Sequence, residues 1–257
     1  MRFSLFRRQL SLAILCCLSV GARADELMRA IAQIKPSVVG VGSYLRTRSP
    51  AIAFTGTGWV VGDGLSVITN AHVVAAVLDS EHMEALGIVV PDGAGVAFRP
   101  ATLAARDKEH DLVLLRLSGN PLPALTLGDS DQIREGQSLA FTGFPLGMVL
   151  GLHHATHRAT LASITPLVAP AVSPRQLDGR ALVQLQRPPL MIFQLDGTAY
   201  PGNSGSPLYD PDSGLVYGVM NMVFVKGLKE SAISTPSGIS YAIPSNYVRD
   251  LLRQKLP

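Results

Sequence analysis

Short apolar runs separated by turn residues follow one another along most of the chain. The runs are rich in valine, isoleucine and leucine, and each has the length of a single strand. Glycine, proline, asparagine or aspartate stands between most of them. The runs are SVVGVGSYL, GTGWVV, LSVITN, LGIVV, DLVLLRL, SLAFTGF, LMIFQL and LVYGVMNMVFV. This pattern predicts an all-β fold made of antiparallel barrels or a sandwich.

Helical spacing of apolar residues occurs in only two segments, one near residue 30 and one near the C-terminus. We predict a short N-terminal helix at residues 25–35, which Pro36 ends, and a C-terminal helix at residues 245–255. The apolar faces consist of Leu27, Ile31 and Ile34 in the first helix and of Tyr247, Val248, Leu251 and Leu252 in the second.

The first 24 residues have the pattern of a secretory signal peptide. A basic start, MRFSLFRR, precedes the apolar run LSLAILCCLSV, and the segment ends in the small residues ARA. A membrane anchor is the alternative, but it needs about 20 apolar residues. The pair Arg7-Arg8 leaves a twin-arginine export signal open. We predict cleavage near Ala24 and a periplasmic or secreted mature protein at residues 25–257, with no stable membrane anchor.

Removal of this segment changes the charge and the cysteine count. Four arginines leave with it, so the formal net charge falls from +3 to −1. The mature chain therefore offers no electrostatic case for binding nucleic acid. Cys16 and Cys17 also leave, so we expect an exported protein without disulfides.

One glycine-rich stretch, AYPGNSGSPLYD at residues 199–210, holds a single serine between two glycines. The stretch is too rich in glycine to be predicted as a strand or a helix, and a plain turn is one interpretation. The other is a turn that presents Ser204 as a nucleophile. In that case the backbone N–H groups of Gly202 and Ser204 would bind the developing oxyanion.

Two further residues complete a set that favours the second interpretation. His72 directly follows a predicted strand that ends at Asn70, and Asp111 stands at the start of another. A serine hydroxyl needs a base to take its proton, and an imidazole has a pKa near neutrality. A carboxylate is then needed to fix the imidazole tautomer. We therefore predict His72, Asp111 and Ser204 as catalytic residues.

The blocks TNAHVV, DLVLLRL and GNSGSP resemble the three signature blocks of trypsin-like (chymotrypsin-fold) serine proteases. The stretches LGDSDQIREGQSLAFTGFPLG, FQLDGTAYPGNSGSPL and GISYAIPSN look like the bacterial HtrA-like branch. The resemblance implies two six-stranded antiparallel barrels with the active site between them. The first barrel would span about residues 36–120 and carry His72 and Asp111. The second would span about 131–244 and carry Ser204.

The chain also departs from the HtrA-like pattern. It ends about ten residues after AIPSN, so we expect no PDZ domain. Ser206 replaces a glycine, as in the glutamyl endopeptidase-like relatives. Residues 165–189 are predicted as a long surface loop or hairpin. The short N-terminal segment has no obvious aromatic anchors, which leaves the oligomeric state open.

The resemblance also places a substrate pocket on either side of the nucleophile. We predict Thr198 and Ala199 at its base and residues 219–223 along its wall, including Val219, Met220, Asn221 and Met222. No acid occupies position 198 and no histidine occurs in GVMNMVF. We therefore expect cleavage after small aliphatic residues such as valine, alanine or leucine.

These features predict an exported serine endopeptidase acting on proteins or peptides in quality control or processing. A non-catalytic or chaperone-like binding module on the same fold is the alternative, and a zymogen-like enzyme whose oxyanion turn orders on binding is a third possibility. We expect no cofactor. The cluster His153, His154 and His157 lacks a nearby carboxylate or cysteine, so we predict no metal site there.

Overall fold

Two closed barrels of six antiparallel strands form the described part of the protein. The computed structural model describes residues 27–78, 84–92, 95–149, 151–167, 189–221 and 238–254. The predicted signal peptide and most of the predicted 165–189 loop lie outside these residues. The prediction of an all-β fold with two six-stranded barrels is confirmed.

The first barrel has the strand order β1-β2-β3-β6-β5-β4, and the second repeats this order as β7-β8-β9-β12-β11-β10. The strands of the first barrel are β1 (Val38–Tyr44), β2 (Ile52–Val61), β3 (Ser66–Asn70), β4 (Ala85–Asp92), β5 (Gly95–Asp107) and β6 (Leu112–Leu117). Those of the second are β7 (Ser138–Gly143), β8 (Ala155–Pro166), β9 (Met191–Asp196), β10 (Pro207–Tyr209), β11 (Val216–Met220) and β12 (Ile239–Pro244).

Both terminal helices are present. Helix α1 covers residues 27–34 and ends in a 3-10 turn, Lys35–Ser37, that contains Pro36. The C-terminal helix, called α3 here, covers Ser245–Arg253, two residues less than predicted. A third helix, α2 (Ala71–Leu78), is not predicted by the sequence pattern, because its valines favour a strand.

The sequence pattern also fails to predict strands β5, β8, β10 and β12. Strand β10 lies inside the stretch whose glycine content argues against a strand, and it forms because Pro207, Leu208 and Tyr209 pair with β7 and β11. This stretch is therefore a turn that leads directly into a buried strand.

The core has three parts that explain how the barrels are held together. One apolar cluster fills the first barrel and another fills the second. The third joins them, and it packs Trp59 and Ile68 of the first barrel with Phe144 and Val219 of the second. Helices α1 and α3 contribute Ile34 and Leu251 to this shared cluster, so both helices pack where the two barrels meet.

No helix among the described residues is long and apolar enough to cross a membrane.

Candidate active site

His72 is placed by the junction of a strand and a helix. Strand β3 ends at Asn70, and His72 is the second residue of α2. The N–H of Ala71 donates to the carbonyl oxygen of Asp111 at 3.0 Å, and the Asn70 side-chain amide donates to the same oxygen at 3.2 Å. These two bonds thus fix the start of α2 to Asp111, the predicted partner of His72.

His72 and Asp111 form a two-point contact. The backbone N–H of His72 donates to Oδ1 of Asp111 at 2.8 Å, and its ring Nδ1 lies 2.6 Å from Oδ2. An ionised carboxylate can only accept, so the imidazole carries its proton on Nδ1. This tautomer leaves Nε2 free to accept a proton, which is the state a general base requires.

Asp111 has an uncommon backbone conformation. Its φ is 53°, in the left-handed region that disfavours residues with a side chain by roughly 1–2 kcal/mol, although aspartate tolerates it better than most. Such a conformation persists only where its surroundings fix it. The bonds from Ala71 and Asn70 supply part of this support.

Asn221 has a role that sequence reasoning missed. The sequence predicted it as a pocket residue, and the structure adds a second contact, because its side-chain amide donates to Oδ2 of Asp111 at 2.7 Å. Asn221 directly follows β11 and is fully buried. No local sequence signal could reveal this contact, because it joins the second barrel to a residue of the first.

The turn that contains Ser204, the predicted nucleophile, lies close to α2 at Gly56 of strand β2. A Cβ at Gly56 would lie 2.7 Å from a methyl group of Val73 and 3.1 Å from the carbonyl oxygen of Ser204. Only glycine fits there, and its absence of a side chain lets the residue after His72 and the Ser204 backbone come close. Ser204 itself is 7% exposed. No hydrogen bond joins its hydroxyl to His72 within the described residues.

The backbone N–H groups of residues 202–206 divide into two classes. Those of Asn203, Gly205 and Ser206 donate to the carbonyl oxygens of Tyr200, Met220 and Asn203. Those of Gly202 and Ser204 have no acceptor within the described part of the chain. Backbone N–H groups of buried residues are usually paired, so two donors without a described acceptor mark a place where a bound oxygen could accept from both.

The conformation of Gly202 is set by contacts on both sides. Its φ is 100°, and a Cβ at this position would collide with the carbonyl oxygen of Phe144. The N–H of Leu146 donates to the Pro201 carbonyl at 2.7 Å. Because C=O and N–H point in opposite directions across a trans peptide, this bond turns the Gly202 N–H away from Leu146.

Thr57 connects the first barrel to the same turn. Its hydroxyl donates to the Gly202 carbonyl at 2.7 Å and accepts from the N–H of Phe144 at 3.1 Å. Its backbone N–H donates to the carbonyl oxygen of Ser204 at 2.9 Å. One residue of β2 therefore fixes the position of both predicted oxyanion donors.

The predicted pocket residues are largely buried. Thr198 is half-buried, Ala199 is almost fully buried, and Val219 and Met220 expose no surface. Ala199 and Met220 pack in the core of the second barrel, whereas Val219 belongs to the cluster between the barrels. Met222 lies outside the described residues.

An apolar groove lies beside the turn that contains Gly202. It has a volume of about 340 Å³ and is lined by Arg48, Pro50, Ile52, Ala53, Phe54, Leu146 and Val149. The ring of Phe54 reaches the turn, since it would lie 3.3 Å from a Cβ at Gly202. A larger depression, of about 950 Å³, lies against α3 and includes none of the predicted catalytic residues.

The clustered histidines have separate structural contacts. His154 pairs through Nε2 with the Val38 carbonyl at 2.8 Å, and its ring lies 4.3 Å from that of Phe144. His157 stacks on Phe141 at 5.0 Å, and its buried Nε2 has no hydrogen-bond partner among the described residues. Burial lowers the pKa of both rings.

Comparison with protein families gives one match across the site. A family model described as a trypsin-like peptidase domain matches residues 56–219, a range that contains His72, Asp111 and Ser204.

Several curated proteins are similar over most of this chain. A probable periplasmic serine endoprotease DegP-like of Halomonas elongata is 29% identical over 199 residues, which are 77% of this chain and 34% of that protein. Human serine protease HTRA4 is 29% identical over 228 residues, which are 87% of this chain and 40% of that protein. The chain therefore spans less than half the length of these relatives.

Solved structures share the fold. The crystal structure of Deg5 gives a TM-score of 0.63 at 21% identity, covering 89% of this chain and 92% of that one. The HtrA-type protease AlgW with a decapeptide gives 0.62 at 21% identity, covering 88% and 66%. The family match and the HtrA-type relatives confirm the resemblance that the motifs carried. The chain belongs to the family of trypsin-like peptidase domains.

Proposed function

We propose that the protein is an exported serine endopeptidase that hydrolyses peptide bonds through an acyl-enzyme at Ser204. The observation that carries this proposal is that the N–H groups of Gly202 and Ser204 have no acceptor among the described residues. One belongs to the predicted nucleophile itself and the other lies two residues before it, whereas the N–H groups of Asn203, Gly205 and Ser206 are all bonded. Donors that are already in place stabilise the charge that develops in the transition state.

The reaction assigns one role to each residue. Ser204 Oγ attacks the carbonyl carbon of the scissile bond while His72 Nε2 takes the hydroxyl proton. The resulting oxyanion accepts from the N–H groups of Gly202 and Ser204. His72 then gives its proton to the leaving amine as the C–N bond breaks. A water molecule repeats the sequence on the ester, with His72 again as base, and releases the acid.

Asp111 orients His72 during both steps. Its two oxygens hold the ring and the backbone of His72, and the bond to Nδ1 stabilises the imidazolium that forms. Asn221 donates to the same carboxylate and so limits its rotation. The unpaired oxyanion donors support a preformed turn rather than one that orders only on substrate binding.

Substrates are proposed to be proteins or peptides with small aliphatic residues before the cut. The base of the pocket is assigned to Thr198 and Ala199, with Val219, Met220, Asn221 and Met222 along the wall. The apolar groove at Phe54 and Leu146 offers a surface for neighbouring substrate side chains. One methylene in an apolar pocket contributes only about 1–3 kcal/mol, so discrimination among aliphatic residues is expected to be loose.

Export and a role in protein quality control or processing belong to the same proposal. Export is supported by the basic start, apolar run and ARA ending of residues 1–24 and by a relative that is named periplasmic. N-terminal sequencing of the mature protein is expected to begin at Asp25. Recovery of Met1 on a membrane-bound form would contradict export with cleavage.

A proteome-derived peptide library, analysed by mass spectrometry, tests the proposed function. The mature protein is expected to cut it mainly after valine, alanine or leucine, and the Ser204→Ala protein should leave it intact. Equal cutting by both proteins would overturn the mechanism. Retention of peptides without cleavage by the wild-type protein would favour the binding module instead.

A further inference from the structure

A second histidine–aspartate pair lies directly before Asp111. Asp107 is the last residue of β5, and His110 belongs to the turn at residues 108–111 between β5 and β6. The backbone N–H of His110 donates to Oδ1 of Asp107 at 3.1 Å, and its ring Nδ1 lies 2.6 Å from Oδ2. This is the same two-point arrangement that joins His72 to Asp111. It closes the turn on itself with a side-chain hydrogen bond.

The ring of His110 also contacts the C-terminal helix. It stacks on Tyr247 of α3 with the ring centroids 4.0 Å apart and the planes 22° from parallel. The Tyr247 hydroxyl accepts from the N–H of Met191, at the start of β9, at 3.3 Å. His110 is mostly buried, since 22% of its side chain is exposed. It therefore connects the turn to α3 and, through Tyr247, to the second barrel.

The contacts of His110 with Asp107 and Tyr247 lie next to Asp111, the site residue with a left-handed backbone conformation. On one side, the Asp111 carbonyl is held by the N–H of Ala71 and the amide of Asn70. On the other side, the backbone of Asp111 is continuous with His110. A residue with a φ of 53° keeps this conformation only where the surrounding structure fixes it, so support on the His110 side adds to that from Ala71 and Asn70.

We propose that His110 is a positioning residue for Asp111. By holding the turn against Asp107 and Tyr247, His110 keeps the backbone of Asp111 in the conformation that aims both carboxylate oxygens at His72. His110 does not touch the reacting atoms and acts only through Asp111. The inference rests on the proposed function, because it assigns Asp111 the orientation of the general base.

Steady-state kinetics on a peptide cut by the wild-type protein tests this role. His110→Ala is expected to lower kcat by about tenfold to a hundredfold, because a small misplacement of a catalytic group has effects of that size. KM should stay nearly unchanged, since no substrate contact is lost. His110→Asn, whose side-chain amide can still donate to Asp107, is expected to recover most of the turnover.

Two controls separate positioning from general stability. Lys108 is exposed in the same turn, so Lys108→Ala should leave kcat unchanged. In an Asp111→Asn background, His110→Ala should cause no further loss, because residues that act through one another are not additive. Thermal unfolding of each variant is measured as well, and the folded fraction at the assay temperature is expected to be the same in all of them.

The kinetic results distinguish a failure of this inference from a failure of the proposed function. An active wild-type protein with a His110→Ala variant of equal kcat would overturn the inference and leave the proposed function standing. So would an equal loss from His110→Ala in the wild-type and Asp111→Asn backgrounds. An inert, folded wild-type protein would contradict the proposed function itself, together with this inference.

Discussion

The side-chain amide of Asn221 donates to Oδ2 of Asp111 at 2.7 Å, and the ring Nδ1 of His72 lies 2.6 Å from the same oxygen. Asn221 follows a strand of the second barrel, whereas Asp111 and His72 belong to the first. The carboxylate is therefore oriented by both barrels, and its geometry depends on how they pack together.

The first prediction concerns this shared oxygen. Hydrogen bonds to charged groups contribute about 1.5–3 kcal/mol, so Asn221→Ala is expected to lower kcat/KM by about tenfold to a hundredfold. Asn221→Asp should be worse, because a second carboxylate would then face Asp111. Both values are measured with a peptide substrate. Wild-type kcat/KM in the alanine variant would show that Asp111 needs no support from the second barrel.

The second prediction compares two glycines with positive φ. Gly202 has a φ of 100° and no room for a side chain, whereas Gly136 has a φ of 88° and open space, with no atom within 4 Å of the place a Cβ would take. Alanine at either position should destabilise the fold by roughly 1–2 kcal/mol through backbone strain. Only Gly202→Ala should also abolish turnover, because the Phe144 carbonyl would displace the oxyanion turn.

Chemical denaturation and peptide hydrolysis of the two variants provide the comparison. Equal activity in the Gly202 and Gly136 variants would mean that the turn at Gly202 is not the oxyanion site.

The third prediction concerns the hydroxyl of Thr57. Thr57→Val keeps the shape of the side chain but leaves the Gly202 carbonyl and the Phe144 N–H without a partner. A loss of about 1–3 kcal/mol in the free energy of unfolding is expected, with a clear fall in kcat. Thr55→Val removes a hydroxyl from the same strand that bonds the Val41 carbonyl, outside the site. It serves as the control and should retain kcat; equal losses in the two variants would contradict the assigned role of Thr57.

The fourth prediction concerns acid stability. Burial lowers the pKa of His157 in the folded protein below its ordinary value of 6.5. At a pH between the folded-state pKa and 6.5, the unfolded chain therefore binds more protons than the folded one. Stability must then fall as the pH drops below about 6.5. His157→Phe keeps the stack on Phe141, removes an Nε2 that has no partner in the described part of the chain, and removes this proton uptake.

Urea unfolding at pH 7.5 and pH 5.0 measures the effect. The phenylalanine variant should gain more stability over the wild type at pH 5.0 than at pH 7.5. His154 shifts in the same direction and is present in both proteins, so it cancels in the difference. A gain that is the same at both pH values would contradict the burial of a neutral ring at this position.

The sequence was sufficient to predict candidate catalytic residues but not the contacts around them. His72 and Asp111 each stand beside an apolar strand, and Ser204 stands between turn glycines, so local patterns mark all three. Strand β5 (Gly95–Asp107) has no such mark, because its residues are mixed and partly exposed. It is a strand because β4 and β6 pair with it on both sides.

The other missed features have the same cause. The valines of α2 favour a strand locally, yet Val73 and Val74 pack as a helix against the first barrel. The bond from Asn221 to Asp111 joins residues 110 positions apart. Both contacts form between residues far apart in the sequence, within one barrel or between the two, and a short stretch of sequence cannot specify them.

The most direct test of the central claim is labelling with a fluorophosphonate probe, followed by peptide mapping. The probe reacts with a serine only when a base and an oxyanion site activate it. One modification is expected in the wild-type protein, on Ser204, and none in folded Ser204→Ala or His72→Ala proteins. A folded wild-type protein that stays unlabelled, or a His72→Ala protein labelled at the wild-type rate, would contradict the assignment of Ser204 and His72 as nucleophile and base.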